Sequence, residues 1–244
     1  MRNLLAFDTS TDQLSVAVQH GDLLLEHSGA GGALSSTTLL PLILHLLAQA
    51  GLTLGELDAI AFGRGPGSFT GLRTACAVAQ GLGFGAHVPL LPVDTLHAVA
   101  EEARHRFGVT RVVAVLDARM DQVYAARYAF DEEDVADHEA NASADTEIGE
   151  AQLLAPEGLV VPPGFALAGN AFAAYGERLP AATERHAVLP TAAAMLRLAP
   201  ALLAAGRSVE PANAAPLYVR DKVAQTTEER AAIKAGAIVA TALK

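Results

Sequence analysis

Gly63-Arg64-Gly65-Pro66-Gly67-Ser68-Phe69-Thr70-Gly71-Leu72-Arg73 is the stretch on which the reading of the chain turns. It follows a strand-like run, Leu57 to Phe62, and leads into an apolar, small-residue segment, Thr74 to Gly85, expected to be helical. A strand, a glycine-rich turn and a helix start together aim backbone N–H groups and a positive dipole end at one point, which is how proteins hold anions. Gly65 and Gly67 permit angles and approaches a Cβ would forbid, Pro66 stiffens the turn, and Ser68 is placed as N-cap. The same residues also suit a purely structural turn that lets a helix lie close on a sheet. No Gly-Lys-Ser/Thr follows, so this is not the phosphate loop of the common NTPases, nor is it the dinucleotide fingerprint.

Outward from that loop, Leu4–Asp8, Leu14–Gln19 and Leu23–His27 read as a three-strand meander. Its first turn carries Asp8 and Thr9, a carboxylate and a hydroxyl at a strand end, equally explained as a turn that satisfies its own backbone. Ser35–Ala50 is expected to be a helix capped by Ser35 or Ser36 and closed by Gly51. Its Leu39, Leu40, Leu42, Ile43, Leu44, Leu46 and Leu47 cover roughly 200° of the helix, about twice one core-facing stripe. Two explanations stand: a helix sandwiched in one core, or a helix with a second face for a partner. The helix after the loop carries Gly71, Gly81, Gly83 and Gly85; each glycine weakens a helix by about 1 kcal/mol against alanine, so close packing is expected to compensate.

Pro89–Val93 reads as a strand, Asp94 as a cap, and Thr95–Phe107 as a helix, after which the pattern restarts. Arg111–Leu116, a turn at Asp117–Asp121 and a strand from Gln122 to Phe130 repeat the opening hairpin, which suggests a duplicated lobe. Asp131–Glu150 reads as an acidic loop, Ala166–Gly169 as a strand with a helix to Leu179, Thr191–Ala205 as a helix with Pro200 inside, Pro216–Arg220 as extended, and Glu228–Leu243 as a closing helix.

With 244 residues, 51% of them hydrophobic, the chain can form two lobes of moderate size. One cysteine, Cys76, excludes internal disulfides and fits a reducing compartment. A net charge of −10 argues against autonomous nucleic-acid binding, which needs clustered Lys and Arg. Asp8 arrives too early for a signal peptide and no apolar run is expected to span a membrane, so the expectation is a cytoplasmic protein.

The strings Gly63–Arg73, Asp117–Tyr124 and Pro216–Arg220, in that order, resemble the TsaB (YeaZ) family of bacterial tRNA-modification proteins, and Phe7–Ser10, Leu189–Ala192 and Lys222–Ala224 match as well. The resemblance implies an α/β fold of two actin-like (ribonuclease H-like) ATPase lobes, each a mixed sheet with flanking helices. The lobes would be residues 1–107, carrying the partner helices, and a smaller, degenerate 108–244 with the closing helix. It implies a non-catalytic subunit that pairs with its larger relative TsaD and with the ATPase TsaE. That assembly installs threonylcarbamoyl on adenosine in the anticodon loop of tRNAs reading ANN codons, with tRNA reached only through the complex, and the subunit alone would form a homodimer.

Family pairing runs through the two N-lobe helices, so Leu39, Leu40, Ile43, Leu44, Leu47, Thr74, Ala75 and Val78 are the implied interface. The implied nucleotide or partner loop is Gly63, Arg64, Gly65, Pro66, Gly67, Ser68 and Arg73 with Asp8, Thr9 and Arg119; a single subunit would bind no cofactor, and ATP or ADP would sit at the interface with TsaD and TsaE. Two departures stand out. Ala33-Leu34-Ser35-Ser36 replaces the usual Arg-x-His-Ser, and Gln122 replaces a glutamate.

A lone actin-like kinase or ATPase, or a glycoprotease-like metallopeptidase, is the alternative. The catalytic relative's metal-binding histidines align with Thr95 and Val99, and none of the eight histidines has another three or four residues away. The second hairpin reads Asp117-Ala118-Arg119-Met120-Asp121 where phosphate cradles carry glycine.

Overall fold

The computed structural model describes residues 2–130 and 147–220, and places them in two sheets with helices on both faces. The first sheet contains β1 (Asn3–Asp8), β2 (Gln13–His20), β3 (Leu23–Ala30), β4 (Ala59–Gly65) and β5 (Leu90–Asp94), in the order β3-β2-β1-β4-β5. The three-strand meander is antiparallel, whereas β4 and β5 join parallel to β1 through helical crossovers.

Strand alternation divides the first sheet's core in two. Leu5, Phe7, Val16 and Phe62 face α1 (Ser35–Ala50) and α2 (Phe69–Ala86), while Leu4, Ala6, Ala17 and Ala61 face a helix from the far end of the chain, Ala192–Ala204. The second sheet runs β11-β10-β6-β7-β8, with β9 also on β7: β6 is Arg111–Arg119, β7 Gln122–Ala129, β8 Glu147–Ile148, β9 Gln152–Leu154, β10 Ala166–Gly169 and β11 Arg185–Ala187. Helix α3 (Thr95–Phe107) packs Leu96, Val99, Ala100 and Ala103 on one face of that sheet. The short α4 (Phe172–Tyr175) lies on the other with Leu159 and Leu179, and Ala192–Ala204 is α5.

The strands of the first sheet all precede residue 107, and those of the second all follow it. The helices do not divide there. α3 leaves the first half to cover the second sheet, and α5 returns to cover the first. Where they meet, the fully buried Glu101 carboxylate binds Arg104 at 2.7 Å and Arg197 at 2.8 Å, and Arg197 also binds Glu102 at 2.7 Å. Glu102 in turn accepts from the Thr191 hydroxyl, which caps α5 through the Ala194 amide.

Several local expectations change. α2 begins at Phe69 and β4 runs on to Gly65, so the glycine loop is tighter than the sequence suggests. α1 is capped not by Ser35 or Ser36 but by a preceding 3-10 turn, with the Thr37 and Thr38 hydroxyls both donating to the Leu34 carbonyl at 2.9 Å. Asp94 leaves its capping role for an ion pair with Arg64. Glu147 and Ile148, expected in a loop, form β8 against Tyr128 and Ala129; the earlier part of that acidic stretch and Glu228–Leu243 lie outside the described residues. The helix after Asn170 is α-helical only to Tyr175 and continues as a 3-10 turn over Gly176–Arg178, entered through Gly176 at φ 47°. The stretch Gly32–Ala50 is, by length and composition, apolar enough to cross a membrane, contrary to expectation, but its Leu39, Ile43, Leu46 and Leu47 are packed in the core of the first sheet.

Breaking the contact between the exchanged helices tests its weight. Arg197→Ala leaves Glu101 to Arg104 and strips Glu102 of its cation, so a loss of about 2 kcal/mol is expected, read as a fall of roughly 4–8 °C in Tm by circular dichroism.

Candidate functional site

The loop on which the sequence turns meets the first β-hairpin of the chain so closely that its glycines are occupied by packing. A Cβ on Gly63 would lie 1.9 Å from Asp8 Oδ2, one on Gly67 2.5 Å from the Ser10 carbonyl oxygen, and one on Gly71 1.8 Å from that of Thr9. Gly65, at φ 120°, faces the Leu217 carbonyl in the same way. The polar groups are spent within this contact. The Ser68 amide donates to the Ser10 carbonyl at 2.7 Å, the Gly71 amide to Ser68 Oγ at 3.4 Å, and the Thr9 hydroxyl to the Gly71 carbonyl at 2.7 Å. Ser68 caps α2 as expected, but two amides that would greet an anion already have protein partners.

Asp8 sits beneath this contact, buried, with Oδ1 accepting from the Ser10 amide and hydroxyl at 2.9 and 2.7 Å. Oδ2 has no partner among the described residues. Burial therefore pushes the carboxyl up to about 6, against the opposing pull of Ser10.

Across the cleft, Arg119, Met120 and Asp121 all have positive φ, 61°, 55° and 57°, so the second hairpin turns through three successive left-handed residues without glycine. Arg119 reaches back over the cleft to Asp12 at 2.9 Å and holds Asp117 at 3.2 Å. Asn170 Oδ1 accepts from the Asp117 amide, and Gly169 packs on the Val115 carbonyl. A cavity of about 300 Å³ remains between the lobes, walled by Ser10, Gly67, Ser68, Asp117, Arg119 and Arg220 among others.

The extended segment Pro216–Arg220 ties both lobes together. The Leu217 amide donates to the Arg64 carbonyl at 2.7 Å. The Tyr218 hydroxyl accepts from Arg73 Nε at 3.0 Å, and the Arg73 guanidinium lies 3.7 Å over the Phe69 ring. Arg220 donates to the Ala118 carbonyl at 2.9 Å on the second hairpin. From sequence, this segment reads as extended and as one of the strings that carry the resemblance, with no contact assigned to it; its alternating apolar, aromatic and basic residues were the available signal.

The expected site residues thus separate into groups. Gly63, Gly65, Pro66, Gly67, Asp8 and Thr9 form a packed junction, Arg64 pairs with Asp94, Arg73 with Phe69 and Tyr218, and Ser68 and Arg119 reach the cavity. Of the implied interface, Leu39, Ile43, Leu47 and Ala75 are corrected to core residues, at most 3% exposed, since they face the first sheet. Leu40 and Leu44, at 42% and 48%, are exposed, and Thr74 and Val78 are half-buried. Among the described residues no three His, Cys, Asp or Glu side chains are placed to hold a metal ion. His97 is buried against Tyr128 and Phe130, and burial lowers it to about 4, as suits a neutral core ring.

A fold of two mixed sheets whose opening hairpins face each other across a cleft defines an actin-like two-lobed protein. The family model described as "TsaD: tRNA N6-adenosine threonylcarbamoyltransferase" matches residues 33–228. The Escherichia coli tRNA threonylcarbamoyladenosine biosynthesis protein TsaB is 35% identical over 91% of this chain and 96% of its own length; the Haemophilus influenzae protein of the same name is 45% identical over 50% and 51%. A solved structure titled "YeaZ from Pseudomonas aeruginosa" superposes with a TM-score of 0.80 at 39% identity, over 89% of this chain and all of that one. The chain belongs to the TsaB (YeaZ) family of tRNA threonylcarbamoyladenosine biosynthesis proteins.

Two tests address the junction. Gly71→Ala is expected to destabilise by about 3 kcal/mol, because the methyl meets backbone that cannot yield, whereas Gly81→Ala, where a Cβ meets nothing, is expected to stabilise by about 1 kcal/mol in urea unfolding. For Asp8 the folded pKa lies above the unfolded one, so its contribution is fully present below pH 3.8 and lost as pH rises through 6. The stability of Asp8→Asn relative to wild type should therefore rise by about 3 kcal/mol between the acid and neutral ends of that window.

Proposed function

We propose that the chain is a non-catalytic scaffold subunit of the complex that makes threonylcarbamoyladenosine in tRNA, pairing with TsaD and serving TsaE. The observation that carries this reading is the outer face of α1 and α2. The two helices share one side of the first sheet, and once their inner stripe is buried, Leu40 and Leu44 remain in water with Leu34 and Phe84. Gly81 and Gly85 keep the outer side of α2 open, so another helix can approach its backbone. In isolation, the same face would take a second copy of this chain.

The cleft supports the same conclusion. A nucleotide needs free amides at the glycine turn and a glycine-rich second hairpin; here the Ser68 and Gly71 amides are engaged and Arg119 spans the gap to Asp12. The residues present therefore do not fit tight ATP binding by one subunit, and ATP or ADP belongs at the interface with TsaD and TsaE. A metallopeptidase acting alone is disfavoured because Thr95 and Val99, buried in α3, offer no imidazole. Contact with tRNA is through the partners, a reading the −10 charge supports, and the working compartment is the cytoplasm, without membrane attachment.

Leu40→Glu or Leu44→Glu is expected to abolish co-elution with TsaD while leaving the circular dichroism of the folded subunit unchanged, since both side chains already face water. Threonylcarbamoyl transfer reconstituted from purified components should require this chain and fail with either variant. Unchanged co-elution of a folded variant, or transfer by this chain without TsaD, counts against the reading.

A further inference from the structure

Of the sheet edges among the described residues, one is long and open. At the far side of the first sheet, β5 is closed by Val209, which exchanges both backbone hydrogen bonds with Leu90 at 2.8 and 2.9 Å. The second sheet ends in strands of two or three residues, β8, β9 and β11. β3 is eight residues long, Leu23–Ala30, with no proline, one carboxylate at Glu26, and Leu23 and Leu24 exposed at 44% and 48%. Soluble proteins ordinarily protect such an edge with charge, proline, a bulge or brevity.

The backbone direction of this edge follows from the turn before it. His20 pairs with Leu23 across the two-residue turn Gly21-Asp22, which makes that pair the hydrogen-bonded close of the hairpin. Alternation along the ladder then turns the N–H and C=O groups of Leu24, Glu26, Ser28 and Ala30 away from β2.

We propose that this edge pairs antiparallel with the β3 of a second copy, joining two first sheets into one continuous sheet. A two-fold axis through such a sheet brings only same-face residues opposite each other, so the register must centre on one residue. Centring on Glu26 opposes two carboxylates, which is unfavourable. Centring on His27 sets two imidazoles opposite each other in place of two carboxylates and matches size elsewhere: Leu23, Leu24 and Leu25 stand opposite the partner's Gly31, Ala30 and Gly29, so each leucine meets a small residue and the two exposed ones are covered. Glu26 then faces the partner's Ser28, and every outward backbone group from Leu24 to Ala30 is paired. The inference is independent of the α1–α2 face, and a chain with both faces free can assemble beyond a dimer.

Full-length protein carrying Leu40→Glu and Leu44→Glu, in which the helical face is blocked, is expected to remain a dimer by light scattering behind size exclusion. Adding Ser28→Pro, which removes one outward N–H, or Leu24→Lys, at a side chain outside both cores of its sheet, should weaken that dimer at least about tenfold, to a monomer with unchanged circular dichroism. In the dimer, the amides of Leu24, Glu26, Ser28 and Ala30 should exchange with solvent more slowly as concentration rises. A monomeric Leu40→Glu/Leu44→Glu protein overturns the proposal, as does a dimer indifferent to both β3 substitutions. Protection of those four amides that does not depend on concentration, as another part of the same chain on the edge would give, overturns it too.

Discussion

Close approach of two backbones, the first hairpin turn at Asp8–Ser10 and the glycine loop at Gly63–Gly71, is the constraint on which the molecule rests. The Ser10 carbonyl takes the Ser68 amide, the Thr9 hydroxyl reaches the Gly71 carbonyl, and neither bond can form if a Cβ stands between the segments. That contact fixes where α2 begins, and thereby the angle at which its inner face, Ala75, Ala79 and Leu82, reaches the first sheet. A buried carboxylate with one unpartnered oxygen is accepted beneath it, at a cost offset by the bonds from Ser10.

The second lobe is held to this junction from three directions. Arg119 and Asp12 join the hairpin tips, Leu217 to Arg220 run across Arg64 and Ala118, and the exchanged helices α3 and α5 share the Glu101–Arg197 pair. The three are not equal. Arg119 and Asp12 are 70% and 87% exposed, so their pair is screened and adds little, whereas Glu101 is buried and its partners satisfy a charge that would otherwise be expensive. Resistance to opening therefore resides in the helices behind the cleft more than in the latch across its mouth.

Much of this was legible in the sequence. The meander and the Thr95–Phe107 helix rest on local pattern, and the structure keeps both. What could not be read was nonlocal. That Gly63 faces Asp8 and Gly65 faces Leu217 depends on which segments the sheet order brings together, and a glycine that admits an anion has the same sequence as one that admits a carbonyl. Breadth of apolar surface on α1 was visible, but dividing it between core and water required knowing where the sheet lies; Leu39 and Ile43 fall inward, and Leu40 and Leu44, one residue further on in each case, fall outward. The exchange of α3 and α5 between sheets left no trace in periodicity, because a helix that covers a neighbouring sheet needs the same stripe as one that covers its own.

The filled junction and the exposed helices are physically connected. A two-lobed cleft that binds a ligand must keep amides unpaired and lobes able to part, and both features lower the stability of the free protein. Here the amides at Ser68 and Gly71 are satisfied internally, so the N-terminal half of α2 is rigid without a ligand. A rigid α2 presents its outer side, and α1 beside it, in one fixed geometry, and a surface already in its bound shape loses less entropy on association. On the reading proposed above, the packing that fills the glycine loop also holds the opposite side of the same helix ready for docking.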